Sequence, residues 1–338
     1  MSFAAKTAKI QKSKGSFPQI RLIISSRATS PEHRTVSRGG RSEKGRPMEL
    51  LKAVLLGFLQ GVTEFLPISS SGHLSVFQHF FGSVGGTDSL MFTVLLHIGT
   101  LAAVVAAYCD TLMELAAEFF KTVRDIFTGH FKWKEMNENR RMLFMFVISC
   151  LPLLVLLVPV SQDRRLSDVL GSLCSDGDIL VEGVCFVATA VLLLAGSRRA
   201  EKGEAVSRIN TKSAFCVGVA QLFAAGFPGV SRSGSTVSVG MLCGVSKEYM
   251  VRYSFILGIP AILAANILEL KDAAALGEQI DLVPVLLGVV TAAVVGFAAI
   301  KLLEWLVRVD KFKIFGYYCL ALGVLVIVVD VLQKFVIS

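Results

Sequence analysis

Glu64, Ser70 and His73 fall inside one ten-residue window, EFLPISSSGH, and Arg232 stands in a second, PGVSRSGST at 228–236. Glu64 is the only acid between Ala53 and Phe81, and Arg232 the only charge between Ala214 and Val245. An ionisable side chain within an apolar segment is costly in lipid, so both are expected to face a protein-lined site. Gln60 precedes Glu64 by four residues and shares its helix face. A carboxylate so placed, with Gln60 beside it, can hold a divalent cation or accept a proton. Ser69, Ser70 and Ser71 offer hydroxyls, and His73 follows Ser70 by three residues, which suits a nucleophile with a base in reach. Capping of the next helix is the structural role open to at least one of them. The Arg232 guanidinium suits paired hydrogen bonds to phosphate oxygens. Ser231, Ser233 and Thr236, with Gly229 and Gly234, can bring further donors to the same anion. The structural alternative for Arg232 is a pair with Glu64. The whole set points to a substrate that carries phosphate and an apolar portion.

The elements that position these residues must cross a membrane. Hydrophobic residues make up 53% of the 338-residue chain and charged residues 18%. Six windows reach the roughly 20 apolar residues a span needs: 90–108, 142–160, 179–196, 249–268, 282–303 and 314–336. Two more apolar stretches, 49–82 and 214–244, are interrupted by Pro, Gly and Ser. The fold class is therefore an all-α polytopic membrane protein. Seven cysteines, an odd number at irregular spacing, read as small apolar filler rather than a disulfide or metal framework. The net charge of +8 belongs to residues 1–47, which hold 11 Lys and Arg against two Glu. That segment is expected to be a disordered extension, or an over-long start ahead of Met48. It carries no nucleic-acid motif, and no nucleic-acid partner is expected.

The interrupted stretches are copies of one another. GFLQGVTEFLPISSSG (57–72) and GVAQLFAAGFPGVSRSG (218–234) match at Gly57 and Gly218, Gln60 and Gln221, and Pro67 and Pro228, and each continues into a serine turn. This sets repeat 1 at about 48–160 and repeat 2 at about 214–338, within one membrane domain at 48–338. Segments 109–141, 197–213 and 304–313 hold six, five and three Lys or Arg, against two in 161–178 and one in 269–281. The positive-inside rule puts the first set in the cytoplasm, so the copies enter from opposite faces. Two re-entrant hairpins meeting near the midplane, within an inverted repeat, follow. Their helix N-termini would present free N–H groups to an anion.

QGVTEFLPISSSGH and PGVSRSGST resemble the two signature motifs of the BacA-type undecaprenyl-diphosphate phosphatases, over about residues 48–338. The resemblance implies removal of the terminal phosphate from undecaprenyl diphosphate. This recycles the lipid carrier of cell-wall synthesis and confers resistance to bacitracin, which competes for that substrate. It implies a divalent cation, Mg²⁺ or Ca²⁺, and a bacterial cytoplasmic membrane protein whose site opens to the outer side. By motif position it makes Gln60 and Glu64 the metal pair, Ser70 and His73 the serine and histidine of the turn, and Arg232 the arginine of the second motif. The attacking group stays open between serine, histidine and water, and a homodimer is also left open. The competing class is a lipid-phosphate flippase on the same inverted repeat. The hydroxyl–His–Glu cluster favours hydrolysis, because transport needs neither a nucleophile nor a proton shuttle.

Overall fold

A computed structural model of the chain describes residues 46–81, 90–132, 136–161, 164–173, 179–203, 205–227, 229–275 and 281–337. The basic extension expected at 1–47 lies outside them apart from Arg46 and Pro47, which open the first helix. The described chain is helical: α1 (Arg46–Phe65), α2 (Ser70–Phe81), α3 (Leu90–Ala107), α4 (Cys109–Phe127), α5 (Glu138–Cys150), α6 (Leu166–Leu173), α7 (Leu180–Glu201), α8 (Thr211–Gly226), α9 (Arg232–Leu242), α10 (Lys247–Ala275), α11 (Leu282–Arg308) and α12 (Lys313–Ile337). A short antiparallel ribbon, β1 (Pro159–Ser161) with β2 (Arg164–Arg165), precedes α6. No disulfide forms among the described cysteines.

Among the described residues five helices are long and apolar enough to cross a membrane, or six if α3 and α4 form one bent span. They are α5 with its extension to Leu157, α7, α10 up to Lys271, α11 and α12 up to Val336. Their outer faces expose large apolar side chains such as Val294, Tyr317 and Leu325. In water such a surface would aggregate, whereas against lipid it is the correct solvent-facing surface. The chain is a multi-pass helical membrane protein.

Two expectations change in detail. Segment 109–141, read as a connection, contains the 19-residue α4, which turns 84° from α3. Its Leu115, Glu118 and Thr122 are buried while Phe119, Phe120 and Phe127 are exposed. Charged residues at helical spacing hid this amphipathic helix in a search for uninterrupted apolar runs. Arg140 of α5 clamps it, donating from Nε to Glu118 at 2.7 Å and from Nη2 to Asp125 at 2.8 Å. The expected span 142–160 begins earlier, at Glu138, and tightens into a 3₁₀ segment over Leu151–Leu157 before ending. Pro152 opens that segment, since it has no N–H to continue the α-helical ladder.

Helices in lipid pack through small residues that let backbones approach. A Cβ on Gly57 of α1 would collide with the Gly288 carbonyl of α11. Its repeat counterpart Gly218 of α8 stands in the same relation to the Ser149 carbonyl, at the end of α5. Matched glycines thus serve matched contacts, α1 on α11 and α8 on α5.

Candidate active site

α1 stops at Phe65 and α2 starts at Ser70. Ser69 has φ +75°, and its Oγ accepts the Gly72 N–H at 3.2 Å. α8 stops at Gly226 and α9 starts at Arg232, where the Ser231 Oγ accepts the Gly234 N–H at 3.0 Å. Ser69 and Ser231, expected to bind substrate, use their hydroxyl oxygens as acceptors to cap the two short helices, as at many helix N-termini. The two breaks touch. The Ser71 Oγ accepts the Gly229 N–H at 3.1 Å, and a Cβ on Gly234 would sit 3.1 Å from the Pro67 carbonyl. Pro228 itself lies outside the described residues.

Glu64 is the centre of the network at the junction. Its Oε1 accepts from Arg232 Nη2 at 2.8 Å, and its Oε2 accepts from Ser70 Oγ at 2.8 Å and Gln60 Nε2 at 3.1 Å. His97 Nε2 of α3 lies 3.8 Å from the same Oε2. The carboxylate is 7% exposed. The pairing of Glu64 with Arg232, the structural alternative for the arginine, is therefore formed, and the Arg232 Nη1 meets no partner among the described residues. The guanidinium is confined as well, because a Cβ on Gly258 of α10 would collide with Nη1 and lie 3.0 Å from Cζ.

A cavity of about 630 Å³ opens on this network. Glu64, Ser69, Ser70, Ser71, Ser231, Arg232 and Ser233 line its polar end, so both short helices aim their N-termini into it. The 3₁₀ segment and α10 supply an apolar wall through Leu153, Leu154, Leu157, Ala264 and Leu268. Arg165 and Glu269 line it as well.

Two expected residues lie elsewhere. Thr236 is fully buried, its Oγ1 donating to the Arg232 carbonyl at 2.9 Å and lying 2.6 Å from Ser254 Oγ. It ties α9 to α10 and is not among the residues lining the cavity. His73 points away from Ser70: its Nδ1 lies 2.6 Å from the Ser69 carbonyl and its Nε2 2.8 Å from Tyr318 Oη of α12. A carbonyl only accepts, so Nδ1 carries the proton and Nε2 accepts from the tyrosine. The ring is stacked on Tyr318 and packed edge-on against Phe186. The group that Ser70 meets is Glu64, and His73 braces the turn that presents Ser70.

Among the polar cavity residues missed from the sequence are His97, Gln221 and Asn266. His97 had a signal, as the only His, Lys, Arg, Asp or Glu between Leu90 and Tyr108. Gln221 was aligned with Gln60 but given no role. Asn266 had nothing to distinguish it from a polar residue near a helix end.

These features define a class: a multi-pass helical membrane protein with a carboxylate, a guanidinium and a hydroxyl converging on one cavity. The sequence profile described as "Bacitracin resistance protein BacA" matches residues 53–325, and the chain belongs to that family. It is 32% identical to an undecaprenyl-diphosphatase of Methanosphaera stadtmanae, covering 84% of this chain and 99% of that protein. Proteins of the same name from Halothermothrix orenii and Desulfosudis oleivorans are 33% and 35% identical. They cover 83% and 82% of this chain and 98% and 97% of their own lengths.

Proposed function

We propose that the protein hydrolyses undecaprenyl diphosphate to undecaprenyl phosphate and inorganic phosphate, recycling the carrier lipid and conferring bacitracin resistance. The observation that carries this is the contact of Ser70 Oγ with Glu64 at 2.8 Å beside Arg232, at the polar end of a cavity with an apolar wall. Arg232 exchanges Glu64 for phosphate oxygens as the diphosphate enters, and Ser233 and the two helix N-termini add donors. Glu64, relieved of its partner, takes the Ser70 proton as the Ser70 Oγ–P bond forms. The bond to the bridging oxygen breaks and undecaprenyl phosphate leaves. Water then cleaves the phosphoserine, returning the proton to Ser70 and releasing phosphate. His73 orients the turn, and His97 adds positive character near Glu64 when protonated.

A divalent cation, Mg²⁺ or Ca²⁺, is part of the proposal. Glu64 would hold it together with the Gln60 Oε1, a buried oxygen with no partner among the described residues. No cluster of three or more His, Cys, Asp or Glu suited to a metal occurs among the described residues. The remaining ligands would therefore be phosphate oxygens and water, as is common for Mg²⁺. Its chemistry would be neutralisation of phosphate charge.

The inverted repeat belongs to the same reading, with α1–α2 and α8–α9 as re-entrant hairpins that meet near the midplane. Arg165 and Glu269, which line the cavity, fall in or beside the segments poor in Lys and Arg, which supports a site that opens to the outer side of the cytoplasmic membrane. Phosphate release from undecaprenyl diphosphate by the purified protein tests the function. Release that needs Mg²⁺ or Ca²⁺, stops with chelator and is lost in Arg232→Ala is expected. Folded protein that binds the lipid, moves its head group across a bilayer and releases no phosphate would refute it in favour of translocation. A phosphoserine trapped at Ser70 is the expected intermediate, and full activity in Ser70→Ala would replace it with direct attack by water.

A further inference from the structure

Gln221 is 0% exposed and lines the cavity, yet neither its Nε2 nor its Oε1 meets a hydrogen-bond partner among the described residues. A buried amide left unpaired on both atoms is unfavourable, and native structures seldom leave one without a reason. The first repeat shows what this position does when it has a partner. Gln60 donates to Glu64, four residues on along α1. In α8 the residue four on is Ala225, which also lines the cavity. The second copy therefore keeps the amide and omits the acid. Behind this wall of the cavity lie an unspent donor and acceptor, buried beside a methyl group, so an anion that takes them must displace the packing over the amide. Arg232 lines the same cavity, and its Nη1 is likewise without a partner among the described residues. An unpaired amide and an unpaired guanidinium N–H around one cavity are donors suited to a polyanion. A carboxylate at position 225 would have repelled one.

We propose that Gln221 binds the diphosphate directly, its Nε2 donating to a phosphate oxygen, as the second repeat's contribution to substrate binding. The identity of that anion rests on the phosphatase reading above. Arg232 brings charge, and Gln221 brings a neutral donor where its counterpart segment has Gln60 beside the acid Glu64.

The test uses the full-length protein in detergent, the variants Gln221→Leu and Gln221→Glu, and a prenyl methylenediphosphonate, which binds as the substrate does but cannot be cleaved. In Gln221→Leu the thermal midpoint without ligand is expected to equal or exceed that of the wild type, since an unpaired buried amide becomes an apolar side chain of similar size. Its affinity for the diphosphonate is expected to fall about tenfold, the usual scale for one hydrogen bond to a charged group. Gln221→Glu is expected to weaken binding further, by like charge. In the hydrolysis assay KM rises more than kcat falls. A clear drop in the ligand-free midpoint of Gln221→Leu would make Gln221 a structural residue and overturn the assignment. So would diphosphonate affinity unchanged in both variants. Wild-type protein that binds the diphosphonate through Gln221 but releases no phosphate would sink the phosphatase reading and leave this assignment standing. Hydrolysis and binding untouched by both substitutions would do the reverse.

Discussion

The two interrupted segments, α1–α2 and α8–α9, share a scaffold and carry opposite chemistry. Each has a glycine against a neighbouring backbone carbonyl, Gly57 or Gly218, and a serine cap on its short helix, Ser69 or Ser231. Each also has a buried glutamine one turn or more before its break, Gln60 or Gln221. The first then adds Glu64 and the second adds Arg232, and these two meet at 2.8 Å. The features that set backbone geometry are alike in the two segments, while the features that set charge differ. A site between two segments of like backbone gains complementary groups only where the two differ chemically.

The largest expected effect comes from abolishing the difference in charge. Glu64→Gln and Arg232→Gln are each expected to lower kcat/KM by about 10³ or more, the scale for losing a general base or a preorganised charge. Each single change also strands a buried charge, at about 3–5 kcal/mol of stability. The double variant should be more stable than either single variant. Additive losses in denaturation would show that the pair is not coupled. Next, Gly258→Ala presses on the guanidinium and is expected to reduce kcat/KM by about tenfold to a hundredfold, on the scale seen for small misplacements of catalytic groups. Pairing it with Arg232→Lys, which shortens the reach of the side chain, should remove most of its further effect. A full-strength loss on top of Arg232→Lys would place the fault in helix packing.

Smaller effects test the retained scaffold. Ser69→Ala and Ser231→Ala should each cost about 1 kcal/mol in stability. Ser69→Gly should cost less than Ser69→Ala, because glycine accepts the positive φ there. Unequal costs for the two alanine variants would mean that the caps do not do equivalent work. The smallest effect lies outside both copies. The hydrogen bond from Arg140 holds Asp125 below the usual carboxylate range. A depressed folded value gives stability that is full above the unfolded pKa, about 3.9, and lost as pH falls through the folded value. Docking of α4 on α5 should therefore loosen only in acid below about pH 4. Hydrogen exchange across 109–127 reads it, and loosening near neutral pH would contradict the Asp125 assignment.

Much of the bundle was legible because membrane spans are written locally. A run of apolar residues must be helical in lipid, where no water can satisfy its backbone. The breaks at Pro67 and around Ser231 were legible for the complementary reason, since Pro, Gly and Ser interrupt such a run. Helix α4 was missed because its charged side chains, among them Lys121, Arg124 and Asp125, disguise an amphipathic period. His73 shows a different limit. Its nearness to Ser70 in sequence suggested a base for the hydroxyl, but both ring nitrogens have other partners, and Ser70 donates to Glu64 instead. Tyr318, 245 residues away, takes its Nε2.

From residue types and spacing alone came the membrane class, the duplicated segments and the identity of Glu64, Ser70 and Arg232 as the groups to watch, because burial cost and helix-breaking are properties of a residue and its near neighbours. Tertiary structure alone decided that Glu64 pairs with Arg232, that Ser70 donates a hydrogen bond to Glu64 while His73 meets Tyr318, and that Gln221 has no hydrogen-bond partner among the described residues. Hydrogen bonds and charge pairs form between side chains far apart in the chain. Their partners are set by which helix faces the packing brings together.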